Sequence, residues 1–264
     1  MLIFPTYQTF LTTSTVATNE IITSNLICLL DANNYSVSDG TELDDTTTND
    51  FDGTISGATF NDDDSNNKYF NMDGSNDYIS LGTQLNSTLA PNSEDNDASF
   101  CFWISLDAIN TDQTIFSNPK KISNIPFLLY YDLSTYASPD NTATGDVGGG
   151  TSKVLSVLMK DASTQYVMTT ANNAVNANTW YNIVVVLNPT NNVHYTYSNG
   201  VEVAKFNSSS ANNLSTITNN LNIGAFSDQS TMDGKFAHFM AYSAALTSSQ
   251  VTQNYNVLKS RFGY

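Results

Sequence analysis

Apolar residues in this chain recur in short runs of about four to eight, each closed by a cluster of Asn, Asp, Gly and Ser. Helical spacing is absent until the C-terminus. A chain written this way can bury its apolar side chains only as many short antiparallel strands. The pattern predicts strands near 25–31, 54–60, 67–72, 77–81, 98–107, 113–117 and 126–131. A second group is predicted near 154–160, 164–170, 180–187, 192–198, 201–206, 221–226 and 235–242. Two sheets packed face to face accommodate them all, which is a sandwich or jelly roll.

Local chemistry sharpens three elements. In VHYTYSNGVEVAKF, Asn199-Gly200 supplies the two residues that tolerate φ > 0 in a type I′ hairpin turn. Ser198 should then face Val201, and Tyr197 should face Glu202. In strict alternation Val193, Tyr195, Tyr197, Ala204 and Phe206 point to the core, and His194, Thr196, Ser198 and Lys205 to solvent. The run Trp180 to Leu187 is almost wholly apolar, so an inner strand covered on both faces is expected. Thr247 followed by Gln250 is a capping box, with Val251, Tyr255, Leu258 and Phe262 on one face behind it. One short C-terminal helix is expected there, packed on a sheet edge or end.

Charge narrows the function. The chain has 9 Lys+Arg against 25 Asp+Glu, a net charge of −16, and Arg261 is its only arginine. Nucleic-acid affinity rests on cations that neutralise phosphates, so no nucleic-acid partner is expected. No apolar run is long enough for a membrane-spanning helix. The opening MLIFPTYQTFLTT lacks a basic start and is broken by Pro5 and Gln8, so it reads as uncleaved. Cys28 and Cys101 sit in the apolar runs NLICLL and SFCFWI and read as buried free thiols rather than a disulfide.

Read together, NLICLLDANNYS, DDTTTNDFDGTI and YFNMDGSNDYISLG resemble the opening of LamG-like, concanavalin A-like jelly-roll modules. TIFSN, TWYNIVVVLN, YSNGVEV, LNIGAF and GKFAHFMAYSAALTSSQVTQNYNVLKSRFG follow the remaining strands of that family in order. The resemblance implies an all-β, two-sheet antiparallel jelly-roll sandwich over residues 25–264, with one short C-terminal helix and an N-terminal arm over 1–24. Leu43 stands where the family commonly has Trp, and His238 where an acidic residue is common. The ending QNYNVLKSRFG is similar to that of such modules in structural proteins of marine tailed phages. It implies a virion-surface protein, a decoration, fibre or appendage component, that is oligomeric in its assembly. The arm, with Leu2, Ile3, Phe4, Tyr7, Phe10 and Leu11, would bind other virion proteins, and the jelly roll would meet host glycans. The alternative is a secreted or cell-surface carbohydrate-binding lectin module.

Candidate chemistry is sparse. Glycoside hydrolysis needs two carboxylates across the scissile bond. The four glutamates, Glu20, Glu42, Glu94 and Glu202, put no two on one strand at even spacing. His194 and His238 accompany no nucleophile turn, and no zinc-ligand spacing occurs. A non-enzyme is expected. Calcium, which takes oxygen ligands, is the more credible ion, with Asp73 and Asp77 of MDGSND as metal candidates. Asp228 and Asp233 of SDQSTMDG are ligand-binding candidates beside them. A long loop over 132–153, carrying Pro139 and Gly148–Gly150, offers Tyr136 as an aromatic platform for a sugar.

Overall fold

Two eight-stranded antiparallel sheets face each other across one apolar core in the computed structural model. It describes residues 20–62, 67–86, 97–118, 127–134, 150–160, 165–207, 217, 219–226 and 230–264. The strands are β1 (Leu26–Asp31), β2 (Glu42–Leu43), β3 (Gly53–Ser56), β4 (Thr59–Asn61), β5 (Tyr69–Asp73) and β6 (Tyr78–Ser80). Next come β7 (Ala98–Leu106), β8 (Gln113–Ser117), β9 (Phe127–Ser134), β10 (Ser152–Lys160), β11 (Gln165–Thr169) and β12 (Trp180–Asn188). The last are β13 (Val193–Ser198), β14 (Val201–Asn207), β15 (Asn222–Ile223), β16 (Ala225–Phe226), β17 (Ser230–Thr231) and β18 (Asp233–Tyr242), followed by helix α1 (Ser248–Leu258). One sheet runs β14-β13-β12-β7-β18-β5-β4, with β1 also on β18. The second runs β11-β10-β9-β8-β15-β6-β3-β2.

Glycines decide where the chain changes sheet. The predicted strand 54–60 is two strands in different sheets, because Gly57 takes φ 77° and turns the chain between them. A side chain at Gly57 would also collide with the Asp77 carboxylate. The predicted strand 221–226 is likewise divided, by Gly224 at φ 90°. Alternation runs through Gly224, from Leu221 and Ile223 to Ala225, so periodicity does not show that break, whereas at Gly57 it changes phase, from Ile55 to Ala58 and Phe60.

The Asn199-Gly200 hairpin has the expected register, with Ser198 opposite Val201 and Tyr197 opposite Glu202. One turn further the ladder slips, and Thr196 faces Ala204 and His194 faces Phe206. This bulge places one extra residue on β14 and reverses which face its later residues share with β13. His194 and Thr196, expected in solvent, are therefore buried in the core layer at 2% and 1% exposure. Tyr195 and Tyr197 face the opposite side, toward the helix.

Helix α1 starts at the predicted cap, with Thr247 and Gln250 bonding each other's backbone. It lies on the outer face of the first sheet rather than at an edge or end. The reason is that β7, β12 and β18 turn Cys101, Val184, Val186, Met240 and Tyr242 outward, and Val251 and Leu246 cover them. β12 is consequently apolar on both faces, as its sequence predicts, with Ile183, Val185 and Leu187 facing the inter-sheet core. Asn254 of the helix is buried and receives the Ile22 amide at 2.8 Å, and Tyr242 donates its hydroxyl to the Ile22 carbonyl at 2.9 Å. Residues 20–22 thus pack on the helix, while 1–19, with the apolar cluster of the arm, lie outside the described residues. Cys28 and Cys101 are buried free thiols.

Candidate functional site

The second sheet carries a polar cleft on its outward face, beside its β2 edge. Its floor comes from β3 and β6, which read Thr54-Ile55-Ser56 and Tyr78-Ile79-Ser80. Side chains alternate across a strand. Ile55 and Ile79, paired with each other, therefore enter the core, while Thr54 opposite Ser80 and Ser56 opposite Tyr78 face out. Thr41 and Asp52 form one wall, and Gly82, Gln84 and Asn220 the other. The cleft is broad and open to solvent and offers about 480 Å³, within the range typical of small-molecule sites.

Both walls are fixed by backbone bonds. The Ile55 amide donates to the Thr41 carbonyl at 2.7 Å. Leu81 and Leu221 exchange bonds with the Leu221 and Gly82 carbonyls, each 2.8 Å, which ties the Asn220 wall to the end of β6. Gly53 lets β3 approach the core closely, since a Cβ there would sit 2.8 Å from a methyl of Ile79. Leu43 fills the neighbouring core position, fully buried.

Asp52 is held from behind. Its Oδ1 accepts the Asp45 amide at 2.7 Å. Asp45 in turn collects the amides of Leu29 at 2.8 Å, Thr47 at 2.9 Å and Phe51 at 3.0 Å, and the Thr47 hydroxyl at 2.7 Å. The acidic stretch DDTTTNDFD is therefore a loop closed around one buried carboxylate, and it places Asp52 at the cleft. The lining joins hydroxyls, two amides, one carboxylate and one half-buried aromatic ring. Such a surface can donate to and accept from a polyhydroxylated ligand.

The acidic candidates singled out in the sequence lie elsewhere. Asp73 and Asp233 are opposite each other in the β5–β18 ladder, and Asp77 folds back beneath them. The Asp73 amide donates to Asp77 Oδ2 at 3.0 Å, and Asp73 Oδ1 accepts the Ser75 amide at 2.8 Å. Burial raises the Asp77 carboxyl above its ordinary value, against the lowering effect of that Asp73 amide. The Asp233 amide donates to Gln113 Oε1 at 2.9 Å, so its backbone belongs to the strand junction. Asp73 and Asp77 thus belong to one turn whose amides they accept, and Asp233 joins them only through the β5–β18 ladder. Among the described residues no group of three or more His, Cys, Asp or Glu is placed to hold a metal ion. Asp228 and Tyr136 lie outside the described residues. The loop expected over 132–153 is shorter than predicted, because β9 continues to Ser134 and β10 begins at Ser152.

No cleft-lining residue was singled out from the sequence. The one available signal is that two short polar-apolar-polar triplets, 54–56 and 78–80, place hydroxyl-bearing residues on the same side of adjacent strands.

A family model described as the concanavalin A-like lectin/glucanases superfamily matches residues 73–252, more than half of the chain. Among solved structures, domain 4 of an extracellular arabinanase from Geobacillus stearothermophilus, in complex with arabinotriose, is similar at TM-score 0.59 and 17% identity. That match covers 88% of this chain and 98% of that one. The sialidase of Trypanosoma rangeli, with the inhibitor DANA, is similar at TM-score 0.59 and 11% identity over 89% of this chain and 33% of that one. The binding domain of botulinum neurotoxin DC, in complex with SialylT, is similar at TM-score 0.59 and 13% identity over 89% and 52%. This chain therefore spans a third of the sialidase and about half of the neurotoxin chain. At these identities the likeness is one of fold. A sequence search of curated proteins gives no match.

Proposed function

The chain belongs to the concanavalin A-like lectin/glucanase superfamily, and from that premise we propose that it is a non-enzymatic glycan-recognition module whose binding site is the β3–β6 cleft. The observation that carries this reading is the floor of two cross-strand pairs, Thr54 with Ser80 and Ser56 with Tyr78. Sugar hydroxyls both donate and accept, and the apolar face of a sugar ring packs on an aromatic ring. That floor offers both kinds of contact. Recognition without hydrolysis is supported by the single carboxylate among the described lining residues, Asp52, where glycoside hydrolysis uses two. The arabinanase domain of the same fold, solved with arabinotriose, gives further support.

Immobilised oligosaccharides probed with labelled protein, followed by calorimetry on the binders, test the proposal. Tyr78→Ala and Thr54→Ala should each weaken binding about tenfold or more while leaving the protein folded. No binding to any glycan, or unchanged affinity in both variants, would overturn it.

The setting proposed is a virion surface, with the domain displayed by a decoration, fibre or appendage protein anchored through residues 1–24. It is supported by the similarity of QNYNVLKSRFG to the endings of phage structural modules. In the fold this segment is the end of α1 and the turn after it. Mass spectrometry of purified particles finding no peptide of this chain would remove the virion reading and leave the lectin module.

A further inference from the structure

We infer that the cleft selects uncharged glycans over carboxylated or sulfated ones, and that Asp52 is the residue that discriminates. This rests on the glycan reading of the cleft and adds the class of ligand. Asp52 is the only charged side chain among the described residues that line the cleft. Its position is set by the Asp45 amide, which puts a second carboxylate directly behind it. No described cation offsets the pair at the lining. Arg261 is committed to Asp31, and Lys235 to Asp107. Lys68, Lys205 and Lys259 lie over the rings of Phe60, Tyr195 and Tyr255, and Lys153 is on β10, toward the far edge of the second sheet from β3 and β6. The chain as a whole carries −16, so its long-range field also opposes an approaching anion.

The magnitude is sufficient for selection. A ligand carboxylate about 7 Å from Asp52 loses roughly three- to fifty-fold in affinity as the effective dielectric goes from about 80 to 20. An uncharged sugar loses nothing by this route and gains an acceptor for its hydroxyls. Recognition of an anionic sugar calls for a cation, commonly a forked arginine, and this chain's only arginine is bound on the opposite sheet.

The experiment is a panel of matched neutral, sialylated and sulfated oligosaccharides against the full chain, Asp52→Asn and Tyr78→Ala, at low and at physiological salt. Asparagine can still accept the Asp45 amide, so Asp52→Asn removes the charge and keeps the bond. The expected result is tighter binding of each neutral member than of its anionic partner, with that discrimination falling about threefold or more in Asp52→Asn. Raising the salt should narrow the wild-type discrimination in the same direction. Anionic members that bind the wild type as well as their neutral partners, with binding lost in Tyr78→Ala, would overturn the inference and leave the glycan reading standing. Unchanged discrimination in Asp52→Asn would also overturn it. Failure of every member to bind would remove both.

Discussion

Arg261, the only arginine, holds Asp31 with its Nη1 2.8 Å from each carboxylate oxygen, which ties the C-terminal turn to the end of the first strand. The pair is mostly shielded, with side chains 11% and 17% exposed. Asp31 also accepts the Asn33 amide at 2.8 Å, and His238 Nε2 lies 3.9 Å away. Removing one member of a shielded pair strands the other charge. Arg261→Met should cost about 2–3 kcal/mol in urea denaturation, a discount on the fully buried case for the remaining exposure. Adding Asp31→Asn to that variant should recover part of the loss. A loss in the double variant equal to the sum of the two single losses would show that the pair itself contributes nothing.

The next residue closes the same corner by stacking. Phe262 lies on Trp103 with ring centroids 4.0 Å apart and planes 9° from parallel, and it also packs against Trp180 at 5.1 Å. Trp103 is fully buried, though it is on the outward face of its sheet. Phe262→Ala should cost about 3 kcal/mol, at the low end for a buried aromatic because this corner borders solvent. It should also shift the tryptophan emission to the red. A loss under about 1 kcal/mol with unchanged emission would mean that the neighbours collapse into the gap.

How much of this was legible depended on how local each signal is. The capping box of Thr247 and Gln250 and the turn at Asn199-Gly200 lie within four residues, and both form as read. The doubly covered strand at 180–187 was visible because each of its faces is apolar. His194 was misplaced because the bulge that buries it is set by how β14 packs as well as by its turn. The break at Gly224 was hidden because apolar alternation runs straight through it, and the one at Gly57 shows only as a change of phase between Ile55 and Ala58. The cleft was least legible. Thr54, Ser56, Tyr78 and Ser80 read as any solvent face, and they become a floor only when Thr41 and Asp52 rise on one side and Asn220 on the other.

The buried histidines set a pH limit. Burial lowers His194 to about 4, and its Nδ1 accepts the Asn188 amide, 3.3 Å away, which requires the neutral ring. His238 is also lowered to about 4, by burial first and by Arg261, with Asp31 opposing. In the unfolded chain each titrates near 6.5. The folded state therefore binds fewer protons between about pH 6.5 and 4. The stability these rings confer is whole above 6.5, falls as the pH drops through that window, and declines no further below about 4. For His194 the loss across the window is on the order of 3 kcal/mol. Melting temperatures from pH 7.5 to 4.5 should fall for the wild type and fall less steeply for His194→Gln. Identical slopes would show that His194 already titrates normally in the fold.

The thiols report on the opening of both layers of the structure. Cys28 is in the inter-sheet core, 3.6 Å from the Phe51 carbonyl, while Cys101 is under the helix with Val184, Met240 and Val251. Burial pushes both thiols far above their ordinary value, with Asp45 and Asp52 adding to the effect at Cys28. The thiolate is the reactive form, so a native protein at pH 8 offers a thiol reagent almost nothing. Labelling must then wait for opening, and the two sites open by different routes. Cys101 is exposed once α1 leaves the first sheet, whereas Cys28 requires the sheets to separate. Native-state labelling followed by mass spectrometry should modify Cys101 before Cys28, and Leu246→Ala, which loosens the helix cover, should accelerate Cys101 alone. In denaturant without reductant both should label at once. Equal native rates at the two positions, unchanged in relative size by Leu246→Ala, would mean that the helix and the sandwich open as a single unit.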